Sequence, residues 1–128
     1  MFIALIHWRI KPGEKYLAAF LQYWNERNSI EDRGGLIGEF LSETLPRDQF
    51  SYVTWHLDPE SFGDFVSYVT VGLWQTAEAF DREVKKYFND QGKLQPFEKY
   101  RRRRVVFNPT NWRIGPDKLP ENDSPGVQ

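Results

Sequence analysis

Cysteine is absent from this sequence of 128 residues. Disulfides, zinc ribbons, iron–sulfur clusters and thiol catalysis are therefore excluded. An excess of one charge is lacking too, because 17 Lys and Arg residues stand against 18 Asp and Glu residues, for a formal net charge of −1. A balanced charge gives no overall field that would attract nucleic acid or an anionic membrane, and we expect neither as a partner.

Long apolar runs are also missing. The apolar stretch Met1–Ile10 is interrupted by His7 and Arg9 and is followed at once by Lys11 and Pro12. It is too short to span a bilayer and lacks the features of a secretory signal, so we expect a cytoplasmic protein. No phosphate loop, dinucleotide fingerprint, hydrolase elbow or metal-ligand spacing occurs, so we expect no cofactor and no metal.

Aromatic residues, in contrast, are plentiful at 16% of the chain, which predicts an ordered domain with a core. Apolar alternation predicts strands, and apolar residues at helical spacing predict helices. From residue 113 the chain is rich in Pro, Gly and charge, so we predict one domain, 1–112, and an extended C-terminal tail, 113–128. The predicted strands are Phe2–Ile10, Leu36–Leu45, Ser51–Leu57, Asp64–Trp74 and Arg101–Asn108; the predicted helices are Glu14–Arg27 and the segment from Thr76, its predicted N-cap, to Phe88.

This order of elements predicts an α+β fold, a ferredoxin-like sandwich of βαββαβ type, with an antiparallel sheet and both helices on one of its faces. Ser51–Leu57 is an additional strand-like piece. In the strand Asp64–Trp74 the residues that face either side of the sheet are apolar, so a lone sandwich would leave the residues of one side in water. Sheet-to-sheet pairing of two copies solves this, and we predict a homodimer to which the tail contributes through Trp112, Ile114 and Leu119. The two sets are Phe65, Val69, Val71 and Leu73 against Val66, Tyr68 and Trp74.

Several segments in order resemble a known family. An apolar N-terminal strand runs into Lys11-Pro12-Gly13-Glu14, an aromatic helix follows, and Gly34-Gly35 precedes the second strand. A later strand ends in Trp74 and passes directly into Gln75-Thr76-Ala77-Glu78-Ala79-Phe80. Over roughly residues 1–108 the chain resembles the antibiotic-biosynthesis-monooxygenase-like proteins of the dimeric α/β-barrel superfamily.

The resemblance implies a dimeric α/β barrel. Some relatives are cofactor-independent oxygenases of polycyclic aromatic substrates, and others degrade heme. The heme-degrading relatives carry a His on the second helix, where this chain has Glu83 and Val84 after Arg82. Heme degradation by that mechanism is therefore not expected. The segment Leu45–Gly63 is longer than the usual connection, and it fits either a cover over a pocket or an extension of the dimer contact.

Two candidate catalytic residues stand out. His7 lies in the middle of the first strand, where it could act as general base on a phenolic substrate; the alternative is a hydrogen-bonded structural His. The resemblance points to Trp74 as one wall of a flat pocket, with Tyr68 as a partner, whereas a purely structural Trp74 would pack against Phe80. Trp8 and Trp55 share this ambiguity, and His56 fits either a pocket or an exposed or dimer-contact position.

Arg101–Arg104 is the only charge run, and a strand would place two of its arginines on each face. Arg102 and Arg104 are candidates for binding an anionic part of a substrate. The alternative is a charged edge strand that resists stray pairing and forms salt bridges with acidic neighbours.

Two functions from different classes fit these residues. One is a monooxygenase-like enzyme that acts without a cofactor on a small aromatic or polyketide-like substrate. The other is a non-catalytic dimeric protein of the same fold that binds a small ligand or serves as a scaffold. Fold alone does not decide between them.

Overall fold

Four strands and two helices follow one another in the predicted βαββαβ order. The structure, a computed structural model, describes residues 1–26, 34–45, 57, 64–84 and 93–118. The strands are β1 (Phe2–Ile10), β2 (Leu36–Glu43), β3 (Val66–Trp74) and β4 (Glu98–Phe107), and the helices are α1 (Glu14–Glu26) and α2 (Ala77–Val84).

The strands form one antiparallel sheet in the order β2-β3-β1-β4. The N-terminal strand is therefore central, with Phe2 opposite Trp74 on β3 and Ile3 opposite Phe107 on β4. The arginine-rich strand β4 lies at an edge, where charged side chains oppose pairing with foreign strands. This is the ferredoxin-like α+β sandwich that the sequence predicts.

Both helices cover the same face of the sheet, which we call the helix face. On β1 this face carries Phe2, Ala4, Ile6, Trp8 and Ile10, the wholly apolar parity. The opposite parity of β1 forms what we call the far face, with Ile3, Leu5, His7 and Arg9. In the described part of the chain no helix packs on the far face.

Turn chemistry sets both helix starts. After Pro12, Gly13 has a φ of 122°, and its carbonyl accepts the backbone N–H of Leu17 at 3.1 Å in the first turn of α1. At α2 the hydroxyl of Thr76 accepts the backbone N–H of Ala79 at 3.1 Å, which confirms Thr76 as the N-cap. Gly35, with a φ of 89°, lies against α2, where an added Cβ would stand 2.5 Å from the Cβ of Ala79.

The core of the helix face consists of two aromatic clusters at opposite ends. One joins Trp74 and Ala4 to Ala79 and Phe80 of α2. The other joins Trp8 and Ile10 to Phe20 of α1 and to Phe97 just before β4. In the second cluster each neighbouring pair of rings is tilted at about 5 Å between centroids, a favourable geometry for aromatic packing.

The observed boundaries differ from the predicted ones mainly in β4. This strand begins at Glu98 and not at Arg101, because Glu98 is buried and forms an ion pair with Arg102. The predicted strand Ser51–Leu57 lies outside the described residues except for Leu57. Residues 113–118 of the tail are exposed, and its remainder is outside the described part. Neither described helix has the length and apolar character needed to cross a membrane.

Candidate functional site

The structure divides the predicted site residues between the two faces of the sheet. Trp8, Tyr68 and Trp74 lie on the helix face, whereas His7 lies on the far face. His7 is opposite Val69 and Trp74 is opposite Phe2, so the two are also five positions apart along the sheet, or about 17 Å. The predicted catalytic pair is thus not brought together. Trp55 and His56 lie outside the described residues.

Three indole N–H groups lie along the middle of β3, two of them at Thr70 and one at Gly72. Trp8, from β1, donates from Nε1 to the hydroxyl of Thr70 at 2.9 Å, and Trp24, from α1, donates to the same oxygen at 3.2 Å. Thr70 is buried, and these two bonds use both of its acceptor positions, so its own proton is left to serve as a donor. Thr70 was not among the residues that the sequence singled out, since a Thr in a strand carries no signal of such a role.

The third indole belongs to Trp74. An added Cβ at Gly72 would lie 3.3 Å from Trp74 Nε1, so this indole lies close over the glycine. Among the described residues, Trp74 Nε1–H has no hydrogen-bond acceptor. Gly72 pairs with Ala4 of β1, so the two smallest residues form the surface of the sheet beneath this indole. We call this region, formed by Thr70, Gly72 and the three tryptophans, the indole strip.

The indole strip connects the two aromatic clusters, since Trp74 belongs to one of them and Trp8 to the other. Trp74 contacts Phe80 edge to face at 5.8 Å between centroids, as the structural interpretation of Trp74 predicts. Tyr68 lies at the other end of the strip, six positions from Trp74 on the same strand, or about 20 Å. Tyr68 and Trp74 therefore lie at opposite ends of the strip and do not form a single pocket wall. Burial raises the pKa of Tyr68, and Glu43 adds to this effect, so Tyr68 keeps its proton at neutral pH.

Arg102 is part of the wall at the Trp8 end. Its guanidinium lies over the Trp8 ring, 4.4 Å from the centroid, and forms an ion pair with Glu98. The Glu98 carboxylate also accepts the backbone N–H groups of Arg102 at 3.2 Å and Gln95 at 3.3 Å. Arg102 is thus committed to holding Trp8 and a buried carboxylate. Arg104 is half-buried on the same face, since its β1 partner is Ile6.

His7 is buried and hydrogen-bonded through both ring nitrogens. Arg103 donates from Nη2 to Nδ1 at 2.9 Å, so Nδ1 is an acceptor and the proton belongs on Nε2. Nε2–H then donates to the Ser67 hydroxyl at 2.9 Å, and Ser67 donates to the carbonyl of Leu57 at 2.6 Å. To act as a base, His7 would first have to release Arg103.

The surroundings of His7 hold it neutral. Burial and, to a smaller extent, the positive charges of Arg103 and Arg9 together lower its pKa to about 4. A general base for neutral solution has a pKa closer to the working pH. The hydrogen-bonded structural His therefore matches this geometry better than the base, and the catalytic role of His7 stays a prediction.

Arg9 and Arg103 are the cations of the far face, and the sequence did not single them out. Arg9 donates from Nη2 to the carbonyl of Arg101, and its guanidinium carbon lies 5.1 Å from the Tyr100 ring centroid. Burial and the charge of Arg103 both lower the pKa of Arg9. The Tyr100 hydroxyl donates to Asp64 at 2.6 Å, and this bond raises the pKa of Tyr100. We call His7, Arg9, Ser67, Tyr100 and Arg103 the far-face cluster.

No protein-family model and no curated protein matches the chain. Solved structures do match it. The monooxygenase from the gene ActVA-Orf6 of Streptomyces coelicolor, in complex with nanaomycin D, is 10% identical, and the match covers 89% of this chain and 91% of that chain with a TM-score of 0.50. At this identity the likeness shows the fold, so the chain has the fold of the antibiotic-biosynthesis-monooxygenase type.

Two further structures match with lower TM-scores. One is a variant of MhuD, a protein of Mycobacterium tuberculosis, with two manganese protoporphyrin IX molecules per active site: 15% identity, 88% of this chain, 99% of that chain and a TM-score of 0.49. The other is a protein from Bacillus cereus assigned to the antibiotic biosynthesis monooxygenases. It is 16% identical, and the match covers 91% of this chain and 98% of that chain with a TM-score of 0.47.

Proposed function

We propose that this protein binds a planar aromatic, polyketide-like molecule at the indole strip and oxygenates it as a cofactor-independent monooxygenase. The observation that carries the proposal is that Trp8 and Trp24 donate their indole N–H groups to the Thr70 hydroxyl, while the Trp74 N–H lies over Gly72, two residues further along β3. Flat aromatic walls with a few convergent donors are typical of sites for planar oxygenated rings. The fold supports the same proposal, because the monooxygenase that shares it was solved with nanaomycin D.

The chemistry requires an electron-rich, deprotonated substrate. A polycyclic phenol that loses a proton gives an enolate, and indole N–H donors would stabilise the negative oxygen in a site shielded from water. Trp74 Nε1–H and the Thr70 hydroxyl are the donors in this scheme. His7 has no part in this step, because it lies on the opposite face of the sheet.

The reaction balances without an external reductant. With anthrone as substrate, O₂ adds to the enolate carbon, the O–O bond then breaks, and anthraquinone and one water are formed from one anthrone and one O₂. The substrate supplies every electron that reduces O₂, and its two ring-carbon hydrogens leave as water.

The test is oxygen uptake and anthraquinone formation with anthrone as probe. The variant Trp74→Phe keeps an aromatic ring but removes the N–H, and we expect kcat to fall roughly 10- to 100-fold while KM changes little. Trp112→Phe is the matched control, because Trp112 is exposed beyond β4. Absence of turnover in the unmodified protein, or equal rates in both variants, would refute the proposed activity.

A second function is favoured by one specific observation. Trp8 and Trp74 are buried by the chain's own side chains, Phe20 and Phe80 among them, as expected for a protein that binds or assembles and does not catalyse. Nanaomycin D distinguishes the two functions. Saturable quenching of tryptophan fluorescence without oxygen uptake from anthrone would support the non-catalytic ligand-binding protein.

We also propose that two copies pair through the far face. Exposed or half-buried apolar side chains lie on all four of its strands, whereas monomeric proteins rarely expose a large contiguous apolar patch. Trp112 and Ile114 extend from the domain with 59% and 86% of their surface exposed and could contact the second copy. The far-face apolar residues are Ile3, Leu5, Phe40, Val69, Val71, Leu73, Val105 and Phe107.

Sedimentation at micromolar concentration tests the pairing. We expect a species of twice the 15.2 kDa chain mass and dissociation in Val105→Asp, whose charge would be buried at the contact. Thr110→Asp, at an exposed position beyond β4, is the control. A monomer at every concentration would refute the homodimer.

A further inference from the structure

The far-face cluster has more positive than negative charge. Arg9 and Arg103 both lie beside His7, which their charges help to hold neutral. Among the described residues, neither guanidinium forms an ion pair with a carboxylate. The two nearby carboxylates that the structure describes have other partners, since Asp64 accepts the Tyr100 hydroxyl and Glu98 binds Arg102. In the part of the chain that the structure describes, two cations therefore lie together without an ion-paired carboxylate.

Both guanidiniums also retain unused donors. Arg103 is exposed, and its hydrogen bond to His7 uses one N–H and orients the rest of the group. Among the described residues, Arg9 Nε is buried without a hydrogen-bond partner, and such an unsatisfied donor costs free energy that an incoming acceptor would recover. Repulsion between the two arginines adds to that cost.

We propose that Arg9 and Arg103 form a binding site for a small oxyanion, a carboxylate or a phosphate, on the far face of the sheet. Planar guanidinium groups match the paired oxygens of these anions. His7 positions Arg103 through Nδ1, and the chain from His7 through Ser67 to the Leu57 carbonyl keeps the imidazole in the tautomer that accepts from Arg103. The site lies on the opposite face from the indole strip, so the test of anion binding is independent of the test of the monooxygenase proposal.

The experiment follows the nitrogen resonances of His7 and the arginines in full-length ¹⁵N-labelled protein near neutral pH. Sodium phosphate and sodium acetate are the two probes, each titrated at constant ionic strength against sodium chloride. We expect the His7 Nδ1 resonance to shift saturably at millimolar anion concentrations, because an anion that binds the Arg103 guanidinium alters its hydrogen bond to this nitrogen. Saturation by phosphate alone, by acetate alone or by both supports the site and identifies its anion.

Two variants make the test specific. Arg103→Gln removes the bond to His7, so binding to this variant is followed at the Arg9 guanidinium nitrogens and should weaken roughly 10-fold or more. Arg113→Gln, which makes the same charge change at an exposed position beyond β4, should leave binding unchanged. Arg103→Lys keeps the charge and guards against a variant that fails to fold. It should weaken binding less than Arg103→Gln does.

The proposal is overturned if no probe gives a saturable shift, or if Arg103→Gln and Arg113→Gln respond alike. A protein carboxylate that already occupies the site, including one from a second copy, would give the first of these results.

Discussion

The two faces of the sheet use aromatic and charged residues in opposite ways. On the helix face, charge supports the rings: Arg102 lies over Trp8 and is neutralised by Glu98. On the far face, a ring supports the charge: the Arg9 guanidinium lies over the Tyr100 ring, and its positive charge has no counterion among the described residues. A neutralised face suits a neutral planar ligand, and a face with excess charge suits an anion or a second protein.

The largest effect should come from a large-to-small change on the helix face. Trp74→Ala removes a buried ring that contacts Phe80, and we expect the free energy of unfolding to fall by about 3–5 kcal/mol. Leu73→Ala, one residue earlier on the far face, should cost about 1 kcal/mol in dilute protein. Urea unfolding at several protein concentrations measures both. A Leu73→Ala cost that grows with concentration indicates a second copy on the far face, whereas equal costs in dilute protein would contradict the comparison.

The contact between the sheet edge and α2 gives the next largest effect. At Gly35 an alanine would face both a positive φ and a Cβ only 2.5 Å from that of Ala79. We expect Gly35→Ala to destabilise the fold by about 2–4 kcal/mol. Gly115→Ala is the control, since no atom lies within 4 Å of its added Cβ. Thermal unfolding of the two variants should separate them clearly; indistinguishable midpoints would show that α2 moves to accommodate the methyl.

The far face should make stability depend on pH. His7 has a pKa of about 4 in the fold, below the ordinary 6.5 that it regains on unfolding. Between these values the unfolded chain binds more protons, so stability is complete above pH 6.5 and decreases as pH falls towards 4, by about 2–3 kcal/mol in total. Urea unfolding across this range should show the slope, and His7→Gln should flatten it. His56→Gln is the control, and an unchanged slope in His7→Gln would assign the effect to other groups.

The smallest effect should come from Thr70. Thr70→Val keeps the shape but removes the oxygen shared by Trp8 and Trp24, which leaves two indole N–H groups without this acceptor. We expect a loss of about 1–2 kcal/mol, with a change in tryptophan fluorescence that Thr110→Val, at an exposed position, does not produce. Unaltered fluorescence would mean that the indoles find other acceptors.

The fold was predictable because alternation and helical spacing are local properties. In Phe2–Ile10 every second residue, starting from Phe2, is apolar, and these residues form the helix face of β1. Thr76 marks the start of α2. The start of β4 was not predictable, because burial of Glu98 depends on its ion pair with Arg102.

The candidate site was predictable only in part. Parity placed Trp8 and His7 on opposite faces, but it could not show that Trp74 pairs with Phe2, far from His7. Nor could it assign the arginines of β4, because the register shifts between His7 and Arg9 decide that Arg103 is the one beside His7. Thr70 became identifiable only when α1 brought Trp24 to it.

The central position of β1 has a consequence for how the chain is made. Its neighbours β3 and β4 lie far along the sequence, and β4 ends only at Phe107. At a synthesis rate of about 5–20 residues per second, the N-terminal strand waits roughly 5–20 s for its last partner. Until β3 is made this apolar, β-prone segment has no partner strand, and until β4 is made one of its edges stays unpaired, as in other topologies dominated by contacts between distant residues. We therefore expect nascent chains stalled before β4 to aggregate or to bind chaperones, and His7 and Arg9 to act as the polar breaks that keep Phe2–Ile10 from pairing with copies of itself.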